Sequence, residues 1–248
     1  MVKILQKNFG LLMKVALYRT CLAEHFSAET VQSVIEVLEK LGCTVEVPRD
    51  QTCCGQPAFN AGYWDAAEIA ARKVLKMLQT INSDFLVVPS GSCTFMIREH
   101  YKKLLLEKHH EILDKVYEFS QFITDVLQVE EIPGAKYSGV VAYHDSCHLL
   151  RGLKVDEGPR KLLRSVEGLT LLTLDEEKQC CGFGGVFSVK HPEISVKMGE
   201  KKLALLEKSG ADTLTAGDLG CLMHLNGLIT RRNLPYKVLH YAEILNSK

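Results

Sequence analysis

QTCCGQPAFNAGY (51–63) and QCCGFGGVFSVKHPEIS (179–195) each carry adjacent cysteines followed by glycine, and their agreement decides how the chain is organised. Each doublet belongs to a four-cysteine set: Cys21, Cys53, Cys54 and Cys93, then Cys147, Cys180, Cys181 and Cys221. Passing between sets takes 126 residues for the leading cysteine, 127 for the doublet and 128 for the last. So constant a shift means an internal duplication. Cys43 has no counterpart (Leu169 falls near the equivalent offset) and reads as a small buried apolar residue.

Outward from the doublets, strand-like and helix-like runs alternate in both copies. In the first, strands are expected at 14–19, 44–48 and 84–90, and helices at 29–41 and 63–80. Residues 101–127 read as a helical arm, and Pro133-Gly134 marks the boundary. In the second, strands are expected at 139–147, 169–174, 211–216 and 236–240, and helices at 158–166 and 192–208. The expected fold is α/β: two tandem, pseudo-symmetric Rossmann-like halves with parallel sheets, over 13–130 and 138–248. The cysteines then fall just after strands, at the carboxyl edge where open parallel sheets build their sites.

The 248 residues carry 30 basic and 30 acidic side chains, and no block of like charge suggests a nucleic-acid or anionic-membrane partner. No apolar run approaches the roughly 20 residues that span a bilayer. Lys3, Lys7 and Lys14 interrupt the signal-like start, so residues 1–12 are expected to be a leader before the first strand and the protein to be cytoplasmic. Thiols stay reduced there, and clustered cysteines suggest metal or redox chemistry.

Neighbouring side chains of an extended doublet point apart and can grip different irons of one cluster, while the glycine lets the backbone turn closely around it. Four thiolates per copy match the ligand count of a [4Fe–4S] centre. They also suit tetrahedral zinc, which stays open as the alternative occupant, as does a redox-active vicinal disulfide.

The segments QTCCGQPAFNAGY, PSGSCTFM, HDSCH, QCCGFGGVFSVKHPEIS and GCLMH resemble the cysteine-rich CCG-domain family over Met13 to Lys248. That group includes the cluster subunit of heterodisulfide reductase, the iron–sulfur subunit of glycolate oxidase and a subunit of anaerobic glycerol-3-phosphate dehydrogenase. The chain is most similar to its lactate-utilisation branch. The resemblance implies one iron–sulfur cluster per half, held by the eight cysteines, in a subunit that serves L-lactate oxidation to pyruvate. Its partners would be a companion iron–sulfur subunit and other lactate-utilisation subunits. The fullest family motif has a fifth cysteine per copy; here Met96 and His224 stand in its place. Met96 reads as packing, and His224 stands evenly between packing and ligation.

His144 and His148 flank Cys147 and could donate to cluster sulfur or relay a proton. Arg98 and Arg151 could offset cluster charge, with ordinary surface roles as the competing reading. Asn60, Tyr63, Trp64, Phe183 and Phe187 are expected to wall the site from water. No hydrolase triad, phosphate loop, flavin or nicotinamide fingerprint is present, so an electron carrier suits the residues better than lactate turnover. Alternatives are a glycolate or glycerol-3-phosphate complex, a cluster-dependent thiol–disulfide reductase, and a zinc-stabilised scaffold.

Overall fold

The computed structural model describes residues 13–105, 110–174 and 179–248; the leader at 1–12 lies outside them. The first half runs β1 (Met13–Leu17), α1 (Cys21–Phe26), α2 (Ala28–Lys40), β2 (Cys43–Glu46), α3 (Gln56–Asn60), α4 (Trp64–Leu78), β3 (Phe85–Val88), α5 (Gly91–Phe95), α6 (Tyr101–Leu104), α7 (His110–Leu113), β4 (Val116–Glu118) and α8 (Phe119–Gln121). The second runs β5 (Lys136–His144), α9 (Glu157–Arg164), β6 (Glu167–Thr173), α10 (Val186–Lys190), α11 (Pro192–Ser209), β7 (Thr213–Ala216), α12 (Leu219–Arg231), β8 (Lys237–His240) and α13 (Tyr241–Asn246). Short π-helical turns follow α5, α8 and Cys147.

Each half forms one four-stranded, all-parallel sheet, in the orders β2-β1-β3-β4 and β6-β5-β7-β8. The expected α/β architecture of two pseudo-symmetric halves is the observed one. Register makes the symmetry quantitative. Leu17 pairs with Val87 as Tyr143 pairs with Thr215, and Val88 pairs with Glu118 as Ala216 pairs with His240. Tyr18 is thereby the counterpart of His144, and Glu118 of His240. The buried faces of α4 and α11 also superpose at one offset: Ala67, Ala71, Val74, Leu75 and Leu78 match Ser195, Gly199, Lys202, Leu203 and Leu206.

One expectation fails. Residues 101–127 are not a helical arm, because Val116–Glu118 is the fourth strand of the first sheet. Three residues between Lys115 and Phe119 are too few to give a readable alternation. The strand is specified by pairing with β3 and by its buried ends, Val116 and Glu118, both fully sequestered.

The halves share a core. One cluster of buried side chains joins Leu17, Val37, Leu38 and Phe122 of the first half to Tyr143, Leu162, Tyr241 and Ile244 of the second. The exchange is reciprocal: α13 packs on α2 and α8 on α9. Polar clasps cross the same seam. Glu118 accepts from Tyr241 Oη, Thr30 donates to Glu243 at 2.5 Å, and Asn246 donates to Glu36 at 2.8 Å. Burying the aromatic and aliphatic faces of both sheets against each other fixes the two carboxyl edges side by side. Among the described residues no helix is long and apolar enough to cross a membrane.

Candidate metal centre

Both cysteine sets open onto a single cavity of about 140 Å³ at the seam. All eight predicted cysteines line it, with Thr20, Gln56, Ser90, Ser92, Ser146, His148, Phe183 and Asp218 among their neighbours. Cys43 is buried in the shared core, as its lack of a counterpart predicts.

Local structure delivers each sulfur. Cys21 opens α1 after Thr20, whose φ of 59° and ψ of 145° lie in a region that L-residues rarely enter. Cys93 is the third residue of α5, and its N–H donates to the capping Ser90 Oγ at 3.2 Å. Cys221 is the third residue of α12, capped by Asp218, whose Oδ1 accepts from Gly220 N at 3.2 Å. The doublets precede glycines of positive φ, 85° at Gly55 and 98° at Gly182. A β-carbon on Gly182 would lie 2.5 Å from the Ser195 carbonyl oxygen, and one on Gly55 3.1 Å from that of Ala67. Only glycine lets the doublet turn lie this close to the following helix.

The two sets are buried alike. Cys54 and Cys181 are each 2% exposed, Cys93 is 9% and Cys221 8%, while the other four are half-buried and face the cavity. Every cysteine is a free thiol. The sulfurs contact one another in sequence order within each set. Cys54 Sγ lies 3.4 Å from Cys93 Sγ, well beyond the roughly 2.05 Å of a disulfide. Backbone N–H groups aim at the doublets: Gly55 at Cys53 Sγ (3.5 Å), Gly182 at Cys180 Sγ (3.4 Å) and Phe183 at Cys181 Sγ (3.4 Å).

This geometry dictates the protonation pattern. Hydrogen bonds from Cys21 and Cys54, joined by the Gly55 amide, hold the Cys53 thiol down at about 2. Cys147, Cys181 and the Gly182 amide do the same for Cys180. The donors themselves are pushed up, Cys21 and Cys54 by their bonds to Cys53, and Cys147 and Cys181 by theirs to Cys180. Each set therefore favours negative charge on one sulfur, while the hydrogen bonds donated to it, and then burial, favour the protonated form of the donors. A cation among the sulfurs is what would release the remaining protons, since thiolates are the ligating form. Soft sulfur donors select zinc, copper(I) or iron–sulfur clusters over oxygen-loving metals.

The seam at the cavity is stitched across the halves. Asp218 Oδ2 accepts from Ser92 N (2.9 Å) and Ser90 Oγ (3.3 Å), so one carboxylate bridges the helices that carry Cys93 and Cys221. Gly91 N donates to Gly217 O at 3.2 Å, and Gln56 Nε2 lies 3.0 Å from Ser92 O and 3.5 Å from His148 Nε2.

The other residues singled out in the sequence divide. His148 lines the cavity, its Nδ1 3.8 Å from Cys147 Sγ, and Asn60 and Phe183 line it too. His144 is wholly buried, with a ring nitrogen within 4.8 Å of both Cys181 and Cys221. His224 Nε2 lies 3.2 Å from Ser195 O, behind the doublet turn rather than among the cavity-lining groups, and Met96 is core. Arg98 donates to Gln121 at 2.9 Å and covers Tyr117, away from the cavity. Tyr63 and Trp64 are 60% and 62% exposed and do not wall the site. Their side chains start the α4 end that faces solvent.

Sequence reading missed Asp218, Ser90, Gln56 and Lys202. The first two had a signal, a helix-capping residue three positions before Cys221 and Cys93, at the repeat offset. Lys202 was visible as a lysine inside the apolar stripe of α11. Gln56 carried none.

Comparison with known proteins agrees with the duplication. The Cysteine-rich domain (CCG) profile matches twice, at residues 15–98 and 141–226. Lactate utilization protein A of Geobacillus sp. (strain WCH70) is 44% identical over 241 residues, covering 95% of this chain and all of the relative. That of Bacillus licheniformis is 43% identical over 242 residues, with the same coverage. A hypothetical protein from Helicobacter pylori shares the fold, with a TM-score of 0.63 at 14% identity over 94% of this chain and 48% of that one. A repeated CCG profile and full-length relatives above 40% identity place the chain in the lactate utilization protein A family of cysteine-rich CCG-domain proteins.

Proposed function

We propose that the chain is an electron-transfer subunit of an L-lactate oxidation system. It would hold one iron–sulfur cluster in each half, through Cys21, Cys53, Cys54 and Cys93 and through Cys147, Cys180, Cys181 and Cys221. The observation that carries this reading is that two complete thiol sets, brought by separate sheets, face one cavity. When bound, such clusters supply one-electron redox chemistry, tuned by hydrogen bonds to sulfur and by exclusion of water. The chain's own part is to fix the sulfurs on glycine turns and helix caps, to direct the Gly55, Gly182 and Phe183 amides at them, and to bury the inner pair of each set.

The cavity's remaining lining argues against lactate being oxidised here. A guanidinium or ammonium is the strongest hydrogen-bonding partner for a substrate carboxylate. Among the described residues lining the cavity there is neither, and Asp218 would repel the substrate. Lactate chemistry therefore falls to companion subunits, an iron–sulfur protein among them, with this chain passing electrons in the cytosol.

Zinc is the second reading, favoured by the 3.4 Å Cys54–Cys93 separation, which lies nearer the roughly 3.8 Å sulfur–sulfur edge implied by a tetrahedral Zn–S length of about 2.3 Å. It leaves unexplained why two sets should share a cavity, since redox-silent ions gain nothing from facing each other. Anaerobic purification with iron, sulfide and zinc analysis separates the readings. Iron and sulfide with a dithionite-reducible spectrum are expected; a zinc-loaded, redox-silent chain would reject the proposal.

A further inference from the structure

The duplication breaks down immediately behind the sulfurs. At three matched positions the first half places Tyr18, Val74 and Met96, and the second His144, Lys202 and His224. In the first half the Tyr18 hydroxyl is spent on the Thr52 carbonyl and the Tyr101 hydroxyl on that of Cys54 (2.9 Å), while Val74 and Met96 are hydrocarbon core. In the second, His144 is fully buried, has a ring nitrogen within 4.8 Å of Cys181 and Cys221, and has no hydrogen-bond partner on either nitrogen among the described residues. Lys202 is 1% exposed; burial pulls its pKa down, and the negative charge of Asp145, Cys181, Cys221 and Cys180 works the other way, favouring the ammonium. Phe183 N adds an N–H aimed at Cys181 Sγ.

Of the other influences, His148, 3.8 Å from Cys147 Sγ where the first half has Leu22, also falls on the second set. The paired cysteines have matching burial, so solvent access does not separate them. Asp145 is neutralised by a bidentate Arg160 at 2.8 and 2.6 Å. Asp218 is held by donors of both halves, and its negative charge, which acts on Cys147, opposes that of Lys202. What remains is a buried lysine and an imidazole behind one set and hydrocarbon and occupied phenols behind the other. Reduction adds negative charge, which nearby cations and sulfur-directed N–H donors stabilise at low dielectric.

On the iron–sulfur reading above, we propose that Lys202 and His144 give the centre held by Cys147, Cys180, Cys181 and Cys221 the higher reduction potential, so that an electron entering the protein settles in the second half. The first half is then the entry side and the second the storage side of an internal gradient.

The test is an anaerobic redox titration of the reconstituted full chain, followed by electron paramagnetic resonance, on wild type, Lys202→Met, Lys202→Gln and His144→Tyr. Cys54→Ser assigns the surviving signal to the second half. The expected result is two resolved potentials, with the second half reduced first by roughly tenfold or more in occupancy at one electron per chain. Lys202→Met should lower the second-half potential alone, with Lys202→Gln and His144→Tyr giving smaller shifts in the same direction. Should Lys202→Met fail to load, the other two variants decide. Coincident potentials, first-half reduction ahead of the second, or second-half variants that leave the higher potential in place would overturn the proposal. A chain that takes up no iron would instead refute the iron–sulfur reading on which it rests.

Discussion

Replacing Tyr241 by phenylalanine should loosen the seam that brings the two cysteine sets together, and should do so more at alkaline than at acid pH. The Tyr241 hydroxyl donates to Glu118 Oε1 and accepts from Ser120 N at 3.0 Å, across the halves. Glu118 is completely buried, and its other oxygen already takes Ser120 N (2.9 Å), Ser120 Oγ (2.5 Å) and Gln121 N (3.2 Å). Burial nonetheless wins over these bonds and pushes the Glu118 carboxyl up to about 6 from 4.5. Losing a hydrogen bond to a charged, buried acceptor costs about 1.5–3 kcal/mol. For a chain of this length that is roughly 3–12 °C in melting temperature.

The pH dependence follows from the sign of the shift. A carboxyl whose folded pKa is raised binds its proton more tightly in the native state. The gain, about 2 kcal/mol for this shift, is complete below 4.5 and lost as pH rises through 6. Removing the Tyr241 donor disfavours the carboxylate further and raises that upper limit. The Tyr241→Phe penalty should thus be full at pH 8 and smaller at pH 5, where Glu118 is protonated. Urea denaturation at both pH values measures it, and Glu118→Gln, which cannot ionise, should abolish the difference. A loss under about 0.5 kcal/mol, or one equal at both pH values, would refute the assignment of Glu118 as a buried charge leaning on Tyr241.

Cys54→Ser and Cys181→Ser should each halve the bound iron and sulfide while leaving the other half's spectrum intact; elemental analysis showing loss of all iron from either variant would mean one shared centre. Gly182→Ala places a β-carbon 2.5 Å from Ser195 O at a φ of 98°, whereas Gly62→Ala at a φ of 84° meets nothing within 4 Å. Both incur about 1–2 kcal/mol of left-handed strain, but only Gly182→Ala should also deplete iron from the second half. Asp218→Ala removes a helix cap together with a cross-seam acceptor and should cost about 1–2 kcal/mol; Asp218→Asn keeps both roles in outline and should recover most of it in the same melt.

The cysteines were legible because ligation imposes residue type at fixed spacing, and duplication wrote the spacing twice. Seven strands were legible because apolar alternation and flanking turns are local. β4 was not, since Val116–Glu118 owes its conformation to β3 alongside and to the seam, not to its own residues. For the same reason the crossing of α13 to pack on α2 could not be read from the sequence. Two sets facing one cavity instead of two separate sites was equally hidden: it depends on Leu17, Phe122, Tyr143 and Tyr241 meeting in one core. Tyr63 and Trp64 misled because proximity to the doublet in sequence says nothing about the side of α4 from which they project.

Matched positions also show how the repeat was put to use. Where the halves agree, at the eight cysteines and the two doublet glycines, the residues make a sulfur cradle. Some of the positions at which they differ lie at the seam and behind the sulfurs. Ser90 against Asp218 gives one carboxylate that caps its own helix and bonds the other half's helix. Glu118 against His240 gives the seam one buried carboxyl where the other half has an imidazole held neutral, its pKa down at about 3 by burial. Two identical halves could not make these complementary contacts, because a carboxylate facing its own symmetry mate would be repelled. Divergence at the seam therefore holds the two cradles against one cavity, and divergence behind the sulfurs gives them unequal surroundings. On the proposed electron-transfer role both would serve, proximity for transfer and inequality for direction.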